Sequence, residues 1–161
     1  MSGILQSGQV TPGHLARFVT DGVIADGGAD PYNVIAVLKN ANFSVNSDQP
    51  IIIPFAISAF QLLGITITHA SSSLTAAVGG FYPQSSKGGT PIVAASQTYS
   101  ALTTPASLLS ATVASFGLTT RFSAANLGNI GGLLAIWFSL TTPQTPPGVT
   151  ADIYLRGVNL S

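Results

Sequence analysis

Glutamate and cysteine are both missing from these 161 residues, and charge of either sign is scarce: five Lys plus Arg and five Asp, 6% of the chain, against roughly 25% in typical soluble domains. Without cysteine there is no disulfide framework, no thiolate metal site and no thiol catalysis, although the compartment stays open. Without Glu, five Asp and two His are the remaining acids and bases, a thin inventory for general acid–base work. A formal net charge of zero removes the basic footprint with which a protein neutralises phosphates, so nucleic acid is not an expected partner. Polarity is carried instead by hydroxyls, eighteen Ser and sixteen Thr.

The local signatures of catalysis are missing as well. No P-loop, GxGxxG, GxSxG or HExxH occurs, and neither Lys sits in a glycine-rich phosphate cradle. No catalytic residue, cofactor or metal site is therefore expected. His14 lies near Asp21 and Asp26, but the spacing fits no standard ligand pattern, and Asp-Gly pairs are ordinary turn chemistry. His69 closes the apolar run Ile65–Thr68 and reads as a strand-end histidine bonded to backbone. A Ser/His/Asp triad is recognised by geometry, so hydroxyl abundance alone carries no weight. Asn42-Phe43-Ser44 and Asn159-Leu160-Ser161 match the glycosylation pattern, and both read as chance in a Ser-rich chain.

The first eighteen residues lack the basic and apolar regions of a secretory signal, so the chain is expected to be made in a cytoplasm. The segment Ile51–Thr68 is apolar enough to weigh as a membrane span. Pro54 breaks it, and Ile65 and Ile67 alternate with Thr66 and Thr68 in the period of two of a half-buried strand. Strands, and no membrane, are expected.

Charge divides the chain. Residues 1–48 hold Arg17, Asp21, Asp26, Asp30, Lys39 and Asp48, whereas residues 49–151 hold only Lys87 and Arg121. Residues 1–40 are rich in turn formers and read as an extended arm that orders on a partner. One short helix is expected in it, with Thr11 as N-cap, Pro12 next, and Leu15, Phe18 and Val19 on one face. Residues 41–161 read as an all-β sandwich of jelly-roll type with about eight strands. The expected strands, the first of them in the arm's last residues, lie near 33–39, 43–45, 51–56, 62–70, 74–82, 92–100, 110–122, 133–141 and 151–158, with Ala106–Ala114 equally readable as a helix.

The last two strands are the clearest. LLAIWFSL, beginning at Leu133, is apolar on both faces, as for a strand covered on each side; Ile153, Leu155 and Gly157 alternate with Asp152, Tyr154 and Arg156. Trp137 and Phe138 are expected in core or interface packing, with sugar stacking by them or by Phe81-Tyr82 as the alternative.

The segment GILQSGQVTPGHLARFVTDGVIADGG at Gly3–Gly28 resembles the N-terminal segment of tailed-bacteriophage virion proteins, the head-fibre, tail-fibre and minor structural proteins. It covers about a sixth of the chain, and the matching positions are Gly8, Gly13, His14, Asp21, Gly22, Val23, Ile24, Asp26 and Gly27. The resemblance implies an attachment element, in which Phe18 is also placed, docking on a major capsid protein or another virion protein. The remainder, ending WFSLTTPQTPPGVTADIYLRGVNLS, is similar in architecture to phage decoration and fibre-head modules, commonly trimeric jelly-rolls. No repetitive shaft is present, as a long tail fibre would need. The expectation is a non-enzymatic virion protein that decorates or cements a capsid and forms a homotrimer. A short fibre binding host-surface glycans, and a hydrolase on a β-sandwich, are the competing readings.

Overall fold

The computed structural model describes residues 34–160, with Ser115 and Phe116 as backbone only, and the backbone of three strands upstream: β1 (Leu5–Ser7), β2 (His14–Thr20) and β3 (Val23–Ala29). Contacts divide the chain into Met1–Asn33 and Val34–Ser161. Residues 34–40 therefore belong to the body.

In the first unit β3 is central, antiparallel to β2 and parallel to β1. The expected helix is not formed. Thr11 and Pro12 lie outside the described residues, while Leu15, Phe18 and Val19 fall in β2, with Phe18 paired to Ile24. Isolated helices this short are marginal, and Phe18, Val19 and Thr20 are strand formers that gain a partner in β3.

The body holds nine strands: β4 (Val34–Asn42), β5 (Gln49–Ile52), β6 (Ala59–Thr68), β7 (Val78–Tyr82), β8 (Leu108–Ala111), β9 (Arg121–Ser123), β10 (Gly128–Ile130), β11 (Leu133–Thr142) and β12 (Thr150–Asn159), with one helical turn, α1 (Ser115–Thr119). They form two antiparallel sheets. In the smaller, β11 takes β5 on one edge and β10 followed by β7 on the other. In the larger, β12 lies between β4 and β6, and the far edge of β6 takes β9 and then β8. Pro50 pairs with Trp137 from β5, an edge strand, where a missing N–H is tolerated. Among the described residues no helix is long and apolar enough to cross a membrane.

One apolar core joins the sheets. Ile35, Phe60, Leu62, Ile65, Ile67, Ile153 and Leu155 enter it from the larger sheet, and Ile51, Phe81, Ile136, Phe138 and Leu140 from the smaller. Phe138 is its aromatic centre, with ring centroids 4.8 Å from Phe43, 5.2 Å from Phe81 and 6.0 Å from Tyr99. Gly80 shows how tightly the segment after β7 is laid down, since a Cβ there would stand 2.4 Å from the Val93 carbonyl oxygen.

Three expected strands change form. The run 92–100 makes only isolated bridges, Val93 to Phe81 and Val113 and Thr98 to Val78, because a turn closed by Gln97 N–H to Ala94 O interrupts its pairing beside β7. The run 110–122 breaks into β8, α1 and β9. β6 receives β8 along Ile65–Thr68 and β9 along Ala59–Gln61, and the register of its other edge shifts between Leu62 and Gly64; a strand bent by such a bulge cannot carry one straight partner throughout. Phe43, expected to open a strand, follows β4 in a turn and buries its ring completely. The ambiguous stretch 106–114 contains strand β8 rather than a helix.

Candidate functional site

Lys39, His69 and Tyr154 meet on the outer face of the larger sheet, around Asp152. Its neighbours Ala151 and Ile153 point into the core, so by strand alternation Asp152 faces outward. There it meets a bulge: Ile153 pairs with Leu38 and Ala151 with Ala41, leaving Lys39 and Asn40 together opposite the single residue Asp152. A bulge leaves one backbone group unpaired, and the carboxylate takes it. Oδ1 accepts the Asn40 N–H at 3.0 Å, and Oδ2 accepts the Lys39 ammonium at 2.8 Å. The same ammonium donates to the Tyr154 hydroxyl and lies 4.8 Å from the centre of that ring.

His69, the residue after β6, brings Nδ1 to 3.5 Å from Asp152 Oδ2. It is not the backbone-bonded residue expected. Its side chain is 64% exposed, its partner within reach is the carboxylate, and its φ is +53°. Asn40 has the same left-handed φ of +53°. Two residues of left-handed backbone thus converge on one carboxylate, whose side chain is 12% exposed. Further along β12, Arg156 Nε donates to Thr66 Oγ1 at 3.1 Å.

Electrostatics follow the geometry. Burial pushes the Asp152 carboxyl up, but the Lys39 ammonium, the Asn40 N–H and His69 outweigh it and hold the group below its ordinary range. Lys39 is raised, chiefly by its hydrogen bond to Asp152 and then by that to Tyr154. For acyl or glycosyl chemistry a nucleophile must reach the base. The nearby Ser71 hydroxyl instead accepts the Thr150 N–H at 2.9 Å, and among the described residues no hydroxyl bonds to His69. The arrangement clamps β4, β12 and the end of β6 together.

A second aspartate does similar work at the other sheet. Asp48 accepts the Ser86 N–H, in a loop where Ser86 and Lys87 also carry left-handed φ of +56° and +57°. Among the described residues no group of three or more His, Cys, Asp or Glu is placed to hold a metal ion.

The residues singled out for attachment fall in two groups. His14 and Phe18 lie in β2, and Val23, Ile24 and Asp26 in β3, where Asp26 pairs with Ala16. Gly8, Gly13 and Asp21 lie outside the described residues. Trp137 and Phe138, adjacent in β11, part company. Phe138 is fully buried, as expected, whereas Trp137 lies on the outer face, half-buried between Tyr82 and Pro50. Trp137 Nε1 is buried without a hydrogen-bond partner. Of the two placements expected for Trp137, core or interface packing, the sandwich core falls to Phe138: strand alternation sends the even positions 134–140 inward and the odd ones outward. The outer face is covered by the chain itself where Ser139 Oγ donates to Asn46 O at 3.3 Å.

Sequence reading missed the Lys39–Asp152 contact, whose partners stand 113 positions apart. The alternation Asp152, Tyr154, Arg156 marked the face, but nothing local marked the strand that would lie beside it. Compared with known proteins, the chain matches no family model, no curated protein and no solved structure.

Proposed function

We propose that this chain is a non-enzymatic bacteriophage virion structural protein, made in the host cytoplasm, that decorates or cements a capsid through its N-terminal unit and oligomerises as a trimer through a body of jelly-roll type. The observation that carries the reading is the surface of the body. Around a complete core it presents Val34, Val37, Phe55, Leu63, Leu108 and Ile130, each at least 39% exposed. Its two most closely paired charges, Lys39 and Asp152, neutralise each other. A surface with so little net charge is poorly protected against association as a free monomer, and it packs against neighbours without stripping water from ions.

The jelly-roll assignment draws on strand order. The first body strand, β4, neighbours the last, β12, with β6 beyond it, and the first four body strands alternate between the sheets. Such crossings from sheet to sheet are how a double Greek key is built. The attachment role of the N-terminal unit rests on its resemblance to phage virion segments. Deleting residues 2–33 should abolish incorporation into particles while leaving the β-signal of the body in circular dichroism; normal incorporation of the truncated protein would refute the reading.

One observation favours the second reading, a fibre module binding host-surface glycans. Trp137, half-buried on the outer face next to the loop that starts at Pro83, keeps part of its ring open, and such amphipathic rings stack on sugars; Phe81, Tyr82 and Phe138, the other rings expected to stack, are buried. A glycan array probed with the wild type and with Trp137→Ala decides it: loss of a defined sugar signal supports the fibre module, and an empty array removes it.

A further inference from the structure

Pro83, just after β7, and Phe122, in β9, give apolar walls to an open cleft of about 300 Å³. The polar part of its lining is the Gln84 and Asn126 amides and the Thr90 and Thr120 hydroxyls, and no lining residue is charged. Asn126 is fixed in place: Oδ1 accepts the Ser123 N–H and Nδ2 donates to Arg121 O, both at 2.9 Å. The loop that forms the other rim is held as firmly. Gln84 and Gly88 form a β-bridge, Asp48 accepts the Ser86 N–H, and at Gly89, with φ +76°, a Cβ would stand 2.6 Å from the Pro83 ring. Among the described residues the Gln84 amide and the Thr90 and Thr120 hydroxyls make no hydrogen bond, so they are left for a ligand. Trp137 lies against the same strip of chain. The Gly128 N–H donates to Pro83 O at 2.8 Å, and a Cβ on Gly128 would stand 3.2 Å from Trp137 Nε1 and 3.6 Å from Gln84 Cα.

Such a lining selects by exclusion. An anion would meet no cation in the cleft and a cation no carboxylate, and an aliphatic ligand would cover amide and hydroxyl groups without pairing them, which costs binding energy. What fits is a neutral ring with apolar faces and a rim of hydroxyls. We propose that the cleft is a subsite for one uncharged pyranose unit of a glycan, bonded by Gln84, Thr90 and Thr120 between the walls of Pro83 and Phe122. Amides and hydroxyls both donate and accept, as sugar hydroxyls do, and a few such groups set in an apolar lining are the ordinary make-up of a small-ligand site. The proposal rests on the glycan-binding reading above and gives it a second place of contact besides Trp137. Every lining residue comes from one chain, so the subsite is complete in a monomer and in a trimer alike.

Saturation-transfer NMR of the full chain tests it. Methyl glucopyranoside, methyl galactopyranoside and methyl N-acetylglucosaminide serve as neutral probes, glucuronate and glucosamine as charged ones. The variants are Gln84→Ala combined with Thr90→Val, which removes two free polar groups at exposed positions, and Trp137→Ala; unchanged circular dichroism verifies the fold of each. At least one neutral probe should bind at millimolar concentration, and the charged probes should not. The double variant should bind about tenfold more weakly or worse, two neutral hydrogen bonds at a factor of about three or more each. Binding that the double variant leaves intact and Trp137→Ala abolishes would overturn the cleft and leave the glycan reading standing. Equal binding of glucuronate or glucosamine would overturn the selection for an uncharged ring. No binding of any neutral probe would overturn the cleft outright, and the glycan array then judges the broader reading by itself.

Discussion

The Asp152 carboxylate accepts the backbone N–H of Asn40, a residue held at a left-handed φ of +53° where β4 carries one residue too many against β12. The side chain of the central strand thereby completes the hydrogen bonding of a bulge in its neighbour. Asn tolerates the left-handed region, glycine is at ease there, and a β-branched side chain is strained by about 1–2 kcal/mol. In urea denaturation Asn40→Gly should leave the unfolding free energy within a few tenths of a kcal/mol of wild type, and Asn40→Val should lower it by about 1–2 kcal/mol. Equal effects of the two would show that φ does not matter at this position.

Stability should depend on pH through Asp152 with a definite sign. Its folded-state pKa lies below the ordinary value of 3.8, so the stabilisation is present above that value and is lost as pH falls through the depressed folded value. Lys39 is raised above 10.5, so its share is complete below that value and disappears as pH climbs past the folded one. Between the two limits the pair contributes a plateau. Denaturation midpoints taken from pH 2 to pH 7 should fall on the acid side in the wild type and fall less steeply in Asp152→Asn. Parallel curves would mean that other carboxylates carry the acid sensitivity.

The neighbours in β11 should respond oppositely to mutation. Phe138 is fully buried amid Phe43, Phe81 and Tyr99, and Phe138→Ala should cost about 3–5 kcal/mol. Trp137→Phe removes a buried N–H that has no acceptor, which offsets the lost ring area, so it should cost under about 1 kcal/mol or stabilise slightly. Chemical denaturation of both variants checks this. A loss for Trp137→Phe as large as that for Phe138→Ala would place the indole in the core.

Gly80→Ala should destabilise the body although alanine is small. Its methyl would stand 2.4 Å from Val93 O and 2.9 Å from Ala94 O, both backbone atoms, so β7 or the segment after Pro91 has to move. A drop of about 1–3 kcal/mol, the range for overpacking, is expected in thermal melts. At Gly64 a Cβ has nothing within 4 Å, and Gly64→Ala is the matched control.

The elements legible from sequence were a run apolar on both faces between turn formers, β11, and runs whose side chains alternate cleanly. β11 and β12 lie within a residue of their expected bounds, and in β12 Ile153 and Leu155 against Asp152 and Tyr154 impose one face each. The alternation of Ile65 to Thr68 likewise marked the end of β6. What escaped depended on partners far away in the chain. Ile92, Val93, Tyr99 and Leu102 are as buried as any strand residue, so their composition imitates a strand, but the turn from Ala94 to Gln97 interrupts their pairing along β7. The site escaped for a related reason: Lys39 and His69 reach Asp152 only because β4 and β6 flank β12, an order that no local pattern encodes.

The adjacency of β4 and β12 also fixes how the body responds to tension. Val34, where the body begins, pairs with Arg156 near the end of β12, so the two ends of the body leave from the same end of one antiparallel strand pair. A pull between the N-terminal unit and the C-terminus therefore loads the rungs of this pair in succession, like opening a zipper, instead of shearing them together. The body should yield at low force from that corner, with the Lys39–Asp152–Asn40 clamp and the Ala41–Ala151 and Asn42–Thr150 rungs beyond it the last parts of the pair to give way.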